Sequence, residues 1–138
     1  MKQKFLYVLA FGAFAFTTVR AADTIDETQF QKSMKEVGRI AKGFKDKAQA
    51  KDALAVEKDS TRVAEIYTQM SGFWKARHTE NATKWSESSA AAAKATAAAA
   101  KAGDWDKVKT NWNVVNKNCK DCHDAHREKL PDGAYRIK

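Results

Sequence analysis

The fold of this protein is decided by residues 105–126, which read WDKVKTNWNVVNKNCKDCHDAH. Large or chemically distinctive residues recur there at intervals of three and four: Trp105, Val108, Trp112, Val115, Cys119, Cys122 and His126. This spacing places side chains on one face of an α-helix. The pattern therefore predicts a helix whose buried face carries both cysteines of the chain, with His123 projecting from the same side.

A first helix is predicted upstream from a similar seam, formed by Phe30, Met34, Val37, Ala41, Phe44 and Ala48. Thr24 and Glu27 have the spacing of a capping box at its start. The segment 50–60 interrupts the seam and is rich in Lys and Asp, so it is predicted to be a connection. The cap of the next helix is then expected at Asp59, Ser60 or Thr61.

Two more helices complete the prediction. The second is expected to end near Lys75 and to bury Val63, Ile66, Tyr67, Met70 and Trp74. The third, residues 81–102, is rich in alanine, which favours helix and either permits close approach of a neighbour or leaves a weakly packed, exposed helix. Gly103 is expected to stop it, and Asp104 to cap the helix that follows. Four helices in 138 residues predict one all-α domain, an antiparallel four-helix bundle.

The two ends of the chain are expected to lie outside the bundle. Lys2 and Lys4 precede an apolar run of about a dozen residues, which predicts a signal peptide, residues 1–21, cleaved after Ala21. The mature domain would then be residues 22–138, exported to the periplasm and without a membrane span. At the other end, Pro131 and Gly133 are expected to stop the last helix, leaving residues 134–138 as a short basic tail.

The sequence Cys119-Lys120-Asp121-Cys122-His123 has the C-x-x-C-H pattern of c-type haem attachment. The two thiols would add to the two porphyrin vinyl groups, and the imidazole of His123 would bind the iron. Three alternatives exist for such a cysteine pair. A thioredoxin-like redox pair is expected at a helix N-terminus beside a βαβ unit, a zinc site needs four ligands, and a disulfide would strain a helix at this spacing.

Residues 102–108, AGDWDKV, and 118–127, NCKDCHDAHR, resemble the last helix of the class II cytochromes c, the cytochrome c prime family. The likeness extends more loosely over the mature chain, including residues 34–38, MKEVG. Members of that family are four-helix bundles with the haem attachment motif near the C-terminus. The resemblance implies one haem c held by Cys119 and Cys122.

The resemblance also implies that His123 is the proximal iron ligand and that Arg127 lies beside it. Met34 would point at the opposite, distal face of the haem, either bound to iron or beside an open site. Spacing alone would make Met34 a core residue. Many members carry arginine one turn before the distal residue, near a haem propionate, where this chain has Phe30. A ligand role for His126 or His78 is not expected.

Two functions follow from the resemblance. With His123 and Met34 as axial ligands, the protein would carry one electron at a time. With an open distal site, it would bind NO or CO. No acid and base pair supports catalysis, so an enzyme is not expected.

The formal charge is +8 and would be +5 after signal cleavage. Lys117, Lys120, Arg127 and Lys129 flank the attachment motif and form either a solvated helix face or a docking surface for an acidic redox partner. Nucleic acid is not an expected partner of an exported haem protein. A homodimer is possible because many relatives of this kind form one.

Overall fold

The computed structural model describes residues 24–138, which form four helices and one short hairpin. The elements are α1 (Glu27–Gln49), α2 (Ala53–Ala76), α3 (Glu80–Lys101), α4 (Trp105–His126), β1 (Arg127–Lys129) and β2 (Tyr135–Ile137). Three-residue connections join successive helices, which therefore run antiparallel. The predicted four-helix bundle is confirmed. The predicted signal peptide lies outside the described residues, and no helix among those described is long and apolar enough to cross a membrane.

Aspartate side chains begin three of the helices. Asp26 accepts a hydrogen bond from the backbone N–H of Gln29 at 2.7 Å, and Asp104 accepts one from that of Lys107 at 3.1 Å. Each satisfies an amide that has no partner within its helix. The capping role of Asp104 agrees with the sequence prediction. The role assigned to Thr24 was wrong, because Asp26, next to the first helical residue, already caps α1.

The prediction of a long connection at residues 50–60 was also wrong. Helix α2 begins at Ala53, and Asp52 caps it by accepting from the N–H of Ala55 at 3.0 Å. Val56 and Ser60 lie one turn apart and are completely buried. The many charged residues of this segment cover only its solvent face, which obscured the short helical pattern beneath them.

The core confirms most of the predicted inward positions. All five residues predicted to be buried on α2 are buried, as are Phe30, Val37 and Phe44 on α1. On α1 the seam passes through Ile40, which is 4 % exposed, whereas Ala41 is exposed. A period of 3.6 residues allows either neighbour to face inward, and the larger side chain occupies the core.

The alanine-rich helix α3 is tightly packed rather than a loose surface helix. Its buried residues lie against α2 on one side and α4 on the other: Ala82, Ser86, Ser89, Ala90, Ala92, Ala93, Thr96, Ala97, Ala99 and Ala100. Small side chains let both neighbours approach closely. Gly103 ends this segment with φ of +72°, a left-handed conformation that suits glycine.

The C-terminal segment differs from its prediction as a basic tail. Helix α4 ends at His126, and β1 pairs antiparallel with β2, with Arg127 opposite Ile137 and Lys129 opposite Tyr135. The turn between the strands contains Gly133 at φ of +84°. Pro131 and Gly133 therefore form a hairpin turn, while the helix itself stops several residues earlier.

One aromatic stack joins α1 to α4. The rings of Phe44 and Trp112 are nearly parallel, at 3° and with centroids 3.6 Å apart. Ten residues before Phe44 and ten after Trp112 are Met34 and Cys122, and ten helical residues span about 15 Å. In an antiparallel pair these two residues therefore reach the same level. We call the end with Phe44, Trp112 and loops 50–52 and 102–104 the closed end, and the end with loop 77–79 and the hairpin the cavity end.

Candidate haem site

A small cavity of about 20 Å³ lies between the helices at the cavity end. All four helices contribute to its wall, which consists of Phe30, Met34, Tyr67, Met70, Trp74, Trp85, Ser86, Ser89, Asn118, Cys119, Cys122 and His123. The structure thus brings together four of the five residues predicted to hold the cofactor. The fifth, Arg127, begins β1 just beyond the cavity.

The two cysteines are free thiols, half-buried on the inner side of α4. They are nearer the C-terminus of their helix than its N-terminus, where the dipole would lower a thiol pKa. Burial raises the pKa of Cys119, and burial followed by the nearby Cys119 raises the pKa of Cys122 to about 11. Both sulfurs are therefore protonated near neutral pH, which disfavours a thioredoxin-like redox pair.

A zinc site is likewise disfavoured. Within residues 24–138, no three Cys, His, Asp or Glu side chains come together in a way that could hold a metal ion. A structural zinc needs four such ligands. The interpretation that their spacing suggested, a haem attachment motif, is therefore retained for the two cysteines and His123.

The imidazole of His123 lies in the last turn of α4 and lines the cavity. Its pKa is lowered, chiefly by burial and then by the positive charge of Arg127, against an opposing effect of Asp124. The ring is therefore neutral near pH 7, the form that binds a metal ion. Arg127 acts here through its charge, while its guanidinium stacks over the ring of Tyr135 at 4.3 Å from the centroid.

Two methionines line the cavity, and they differ in exposure. Met34 is partly exposed on α1, at the level of Cys122, whereas Met70 is only 1 % exposed on α2. The sequence singled out Met34 through the family resemblance and treated Met70 as core. Phe30, which takes the place of the family arginine, packs its ring 4.5 Å from Phe73 and 5.4 Å from Trp74. Phe30 therefore contributes apolar packing and cannot form the ion pair that an arginine would make with a haem propionate.

His126 has a structural partner. Its Nε2 lies 3.0 Å from Oδ1 of Asn81, and its ring lies 5.1 Å from that of Trp74. The backbone carbonyl of His126 also accepts a hydrogen bond from the N–H of Lys138, at 2.9 Å. These contacts join α4 to α3 and to the end of the hairpin. They occupy the side chain of His126 with structural contacts.

Part of the basic charge around the motif is paired. Lys117 contacts Asp121 and Lys120 contacts Asp124, each at 2.5 Å and one helical turn apart. Both lysines are about three-quarters exposed, and pairs of this kind are common on solvated helix faces. Lys129 and Arg136 carry the positive charge onto the hairpin, where Arg136 pairs with Glu128 at 2.7 Å.

Two polar groups of the cavity wall were missed by sequence reasoning. The hydroxyl oxygen of Tyr67 lies 2.9 Å from Sγ of Cys119. The hydroxyl of Ser89 is buried without a hydrogen-bond partner in the protein. A signal existed for Tyr67, because a tyrosine on a core seam needs a partner for its O–H. Ser89 offered no such signal within its run of small residues.

The residues of this wall fit a c-type haem. The two thiols and the neutral imidazole lie on one helix, while aromatic rings and methionines form the apolar surroundings. The unpartnered hydroxyl of Ser89 leaves a polar atom that a bound group or water could satisfy. A four-helix bundle with such a site in its last helix is the arrangement that is typical of helical c-type haem proteins.

Comparison with protein-family models matches residues 17–127 to the family described as Cytochrome C'. Searches of curated proteins and of solved structures found no match. The family match covers most of the chain and ends at Arg127, where the hairpin begins. The protein therefore belongs to the cytochrome c′ family and is a haem c protein.

Proposed function

We propose that this protein is a periplasmic one-electron carrier with a single haem c bound through thioether bonds to Cys119 and Cys122. His123 and Met34 would be its axial ligands. The observation that supports this most is the shared cavity, which is lined by a methionine of α1 and by the two cysteines and the histidine of α4. When bound, the haem supplies an iron that cycles between the ferric and ferrous states.

The residues of the chain have separate tasks in this proposal. The cysteines anchor the cofactor covalently, so that it stays bound in a small domain that cannot surround it. His123, neutral at physiological pH, offers a nitrogen to the iron. Met34 offers a thioether sulfur, and methionine ligation raises the reduction potential of haem iron. Phe30, Met70 and Trp74 limit the access of water.

The electron would be exchanged with a partner protein of acidic surface. Arg127 and Lys129, which form no ion pair among the described residues, would give this end of the molecule a positive charge that steers such a partner. Encounter would then be slowed by salt. No catalytic activity is proposed, and a homodimer would be compatible with the same chemistry.

Covalent attachment is tested by separating the denatured polypeptide from free haem. The wild-type protein, produced in cells able to mature c-type cytochromes, is expected to keep its haem under denaturing conditions. The double variant Cys119→Ala, Cys122→Ala is expected to lose it. Haem released from the denatured wild-type protein would contradict the proposed linkage.

The distal ligand is tested with a matched pair of methionine variants. Met34→Leu and Met70→Leu make the same nearly isosteric change on two different helices, α1 and α2, that line the cavity. Only Met34→Leu is expected to convert the visible spectrum from six-coordinate low-spin to five-coordinate high-spin and to lower the reduction potential. Conversion by Met70→Leu instead would assign the ligand to Met70.

A five-coordinate wild-type spectrum would contradict Met34 ligation. Rapid, complete binding of CO by the ferrous wild-type protein would then favour a gas-binding haem protein with an open distal site. Under our proposal, CO binds slowly because it must first displace the methionine. The Met34→Leu variant is expected to bind CO faster than the wild type. Its rate serves as the reference for CO binding to an iron without a methionine ligand.

A further inference from the structure

The hydroxyl of Tyr67 is placed to act on the cofactor through one of its two sulfur anchors. Tyr67 lies on the buried face of α2 and is 6 % exposed. Its oxygen reaches across the bundle to Sγ of Cys119, 52 residues later in the chain, at 2.9 Å. This is a side-chain hydrogen bond between α2 and the predicted haem attachment motif on α4.

The environment of the hydroxyl makes this contact costly to lose. Tyr67 is surrounded by the apolar seam of α2, where an unpaired hydroxyl would lose its hydrogen bond to water without replacement. Burial, with smaller contributions from Cys119 and Cys122, raises the pKa of Tyr67 well above its usual range. The phenol therefore keeps its proton and remains a donor.

Attachment of haem fixes the direction of this hydrogen bond. In the free protein either the phenol or the thiol can donate. Addition of a thiol to a vinyl group breaks the S–H bond and the carbon–carbon π bond and forms one S–C and one C–H bond, with no net oxidation. The resulting thioether sulfur has no hydrogen and is only a weak acceptor. Tyr67 must then donate if the contact is kept.

We propose that Tyr67 is a positioning residue that donates a hydrogen bond to the Cys119 thioether sulfur, orients that anchor and raises the reduction potential of the haem. This inference rests on the proposed attachment through Cys119. The physical reason is that a donor withdraws electron density from the sulfur substituent of the porphyrin, which favours the electron-rich ferrous state. Hydrogen bonding around the cofactor is one of the means by which a protein sets haem potential.

The test is a double-mutant cycle on the haem-loaded protein. Tyr67→Phe removes the hydroxyl and keeps the ring. It is measured in the wild type and in a Cys119→Ala background, which retains the anchor at Cys122. Tyr135→Phe, on the hairpin and 49 % exposed, is the matched control. Peptide mass after proteolysis first establishes which sulfurs carry haem.

Tyr67→Phe is expected to lower the reduction potential in the wild-type background and to have no effect in the Cys119→Ala background. Tyr135→Phe is expected to have no effect. Equal shifts in both backgrounds would overturn the inference, because the hydroxyl would then act on another group. An unchanged potential with both thioether bonds intact would overturn it as well, without affecting the proposed function.

A vibrational measurement keeps the inference testable if the variants fail to fold. In the wild-type protein, the C–S stretching band of the Cys119 thioether in the resonance Raman spectrum is expected to shift in D₂O. Labelling of the cysteine β-carbon identifies the band. The absence of an isotope shift would overturn the hydrogen bond. A wild-type Cys119 without haem would overturn the proposed attachment, and this inference with it.

Discussion

Helices α1 and α4 face each other at both ends of the bundle, but their side chains pack tightly at only one of them. At the closed end Phe44 and Trp112 stack at 3.6 Å, whereas one and a half nanometres away Met34 and Cys122 border a cavity. The same two helices thus form a tight contact at one end and border a small cavity at the other. The comparison teaches that the register between two helices, which the stacked rings mark at one end, determines which residues face each other across the cavity at the other.

The largest predicted effect comes from breaking the stack at the closed end. Trp112→Ala is expected to lower the free energy of unfolding of the haem-loaded protein by about 3–5 kcal/mol, because it leaves a large void in the core. Trp105→Ala, at the partly exposed start of the same helix, is the control. Denaturant unfolding measures both. If Trp105→Ala lowered the free energy of unfolding as much as Trp112→Ala does, the stack would not be the reason for the loss of stability.

The next effect tests the close packing of α3, which runs between the two ends. Ala93 is completely buried, so Ala93→Leu is expected to cost about 1–3 kcal/mol by overpacking. Ala98→Leu, on the exposed face of the same helix, is expected to change the stability by less than about 0.5 kcal/mol. Similar values for the two variants, measured by thermal unfolding, would indicate a loose α3.

A glycine pair tests the turn that closes the bundle between α3 and α4. Gly103→Ala places a side chain at φ of +72° and is expected to cost about 1 kcal/mol. Gly38→Ala, in the exposed middle of α1 with no atom within 4 Å of the new methyl group, is expected to stabilise by about 0.5–1 kcal/mol. The two variants are therefore expected to change the free energy of unfolding in opposite directions, and thermal unfolding measures both. Stabilisation by Gly103→Ala would refute the left-handed turn.

The smallest effect concerns the ion pair that joins α1 to α2 between the two ends. Arg62 contacts Glu36 through two nitrogens, at 2.7 and 2.9 Å. Both side chains are partly exposed, so Glu36→Gln is expected to cost no more than about 1 kcal/mol. Glu65→Gln, which loses a more exposed contact to the same arginine, is expected to cost less.

The pH dependence of this ion pair has a definite sign. The hydrogen bond from Arg62 lowers the pKa of Glu36 in the folded protein. The pair therefore contributes its stability above the ordinary carboxyl pKa, and the contribution is lost as the pH falls through the lowered value. The difference between wild type and Glu36→Gln should shrink in acid. A difference that grew in acid would exclude the ion pair as its cause.

Much of the bundle was predictable because its signals are local. The spacing in residues 105–123 predicted α4, the cysteine pair on its inner side and His123 beside it. Alanine content predicted α3 as a closely packed helix, and Asp104 was recognised as a cap. The start of α2 was missed because charged residues on its outer face hid Val56 and Ser60, and the hairpin was missed because a turn signal was taken for a helix stop.

The sequence by itself predicted the type of cofactor and the residues that would anchor it, since C-x-x-C-H lies within a single helical turn and a half and needs no partner from elsewhere in the chain. Only the tertiary structure decided what faces that anchor. The level of Met34 depends on the register between α1 and α4, and the contact of Tyr67 with Cys119 joins residues 52 positions apart. Such contacts arise from the packing of whole helices, which no local spacing encodes.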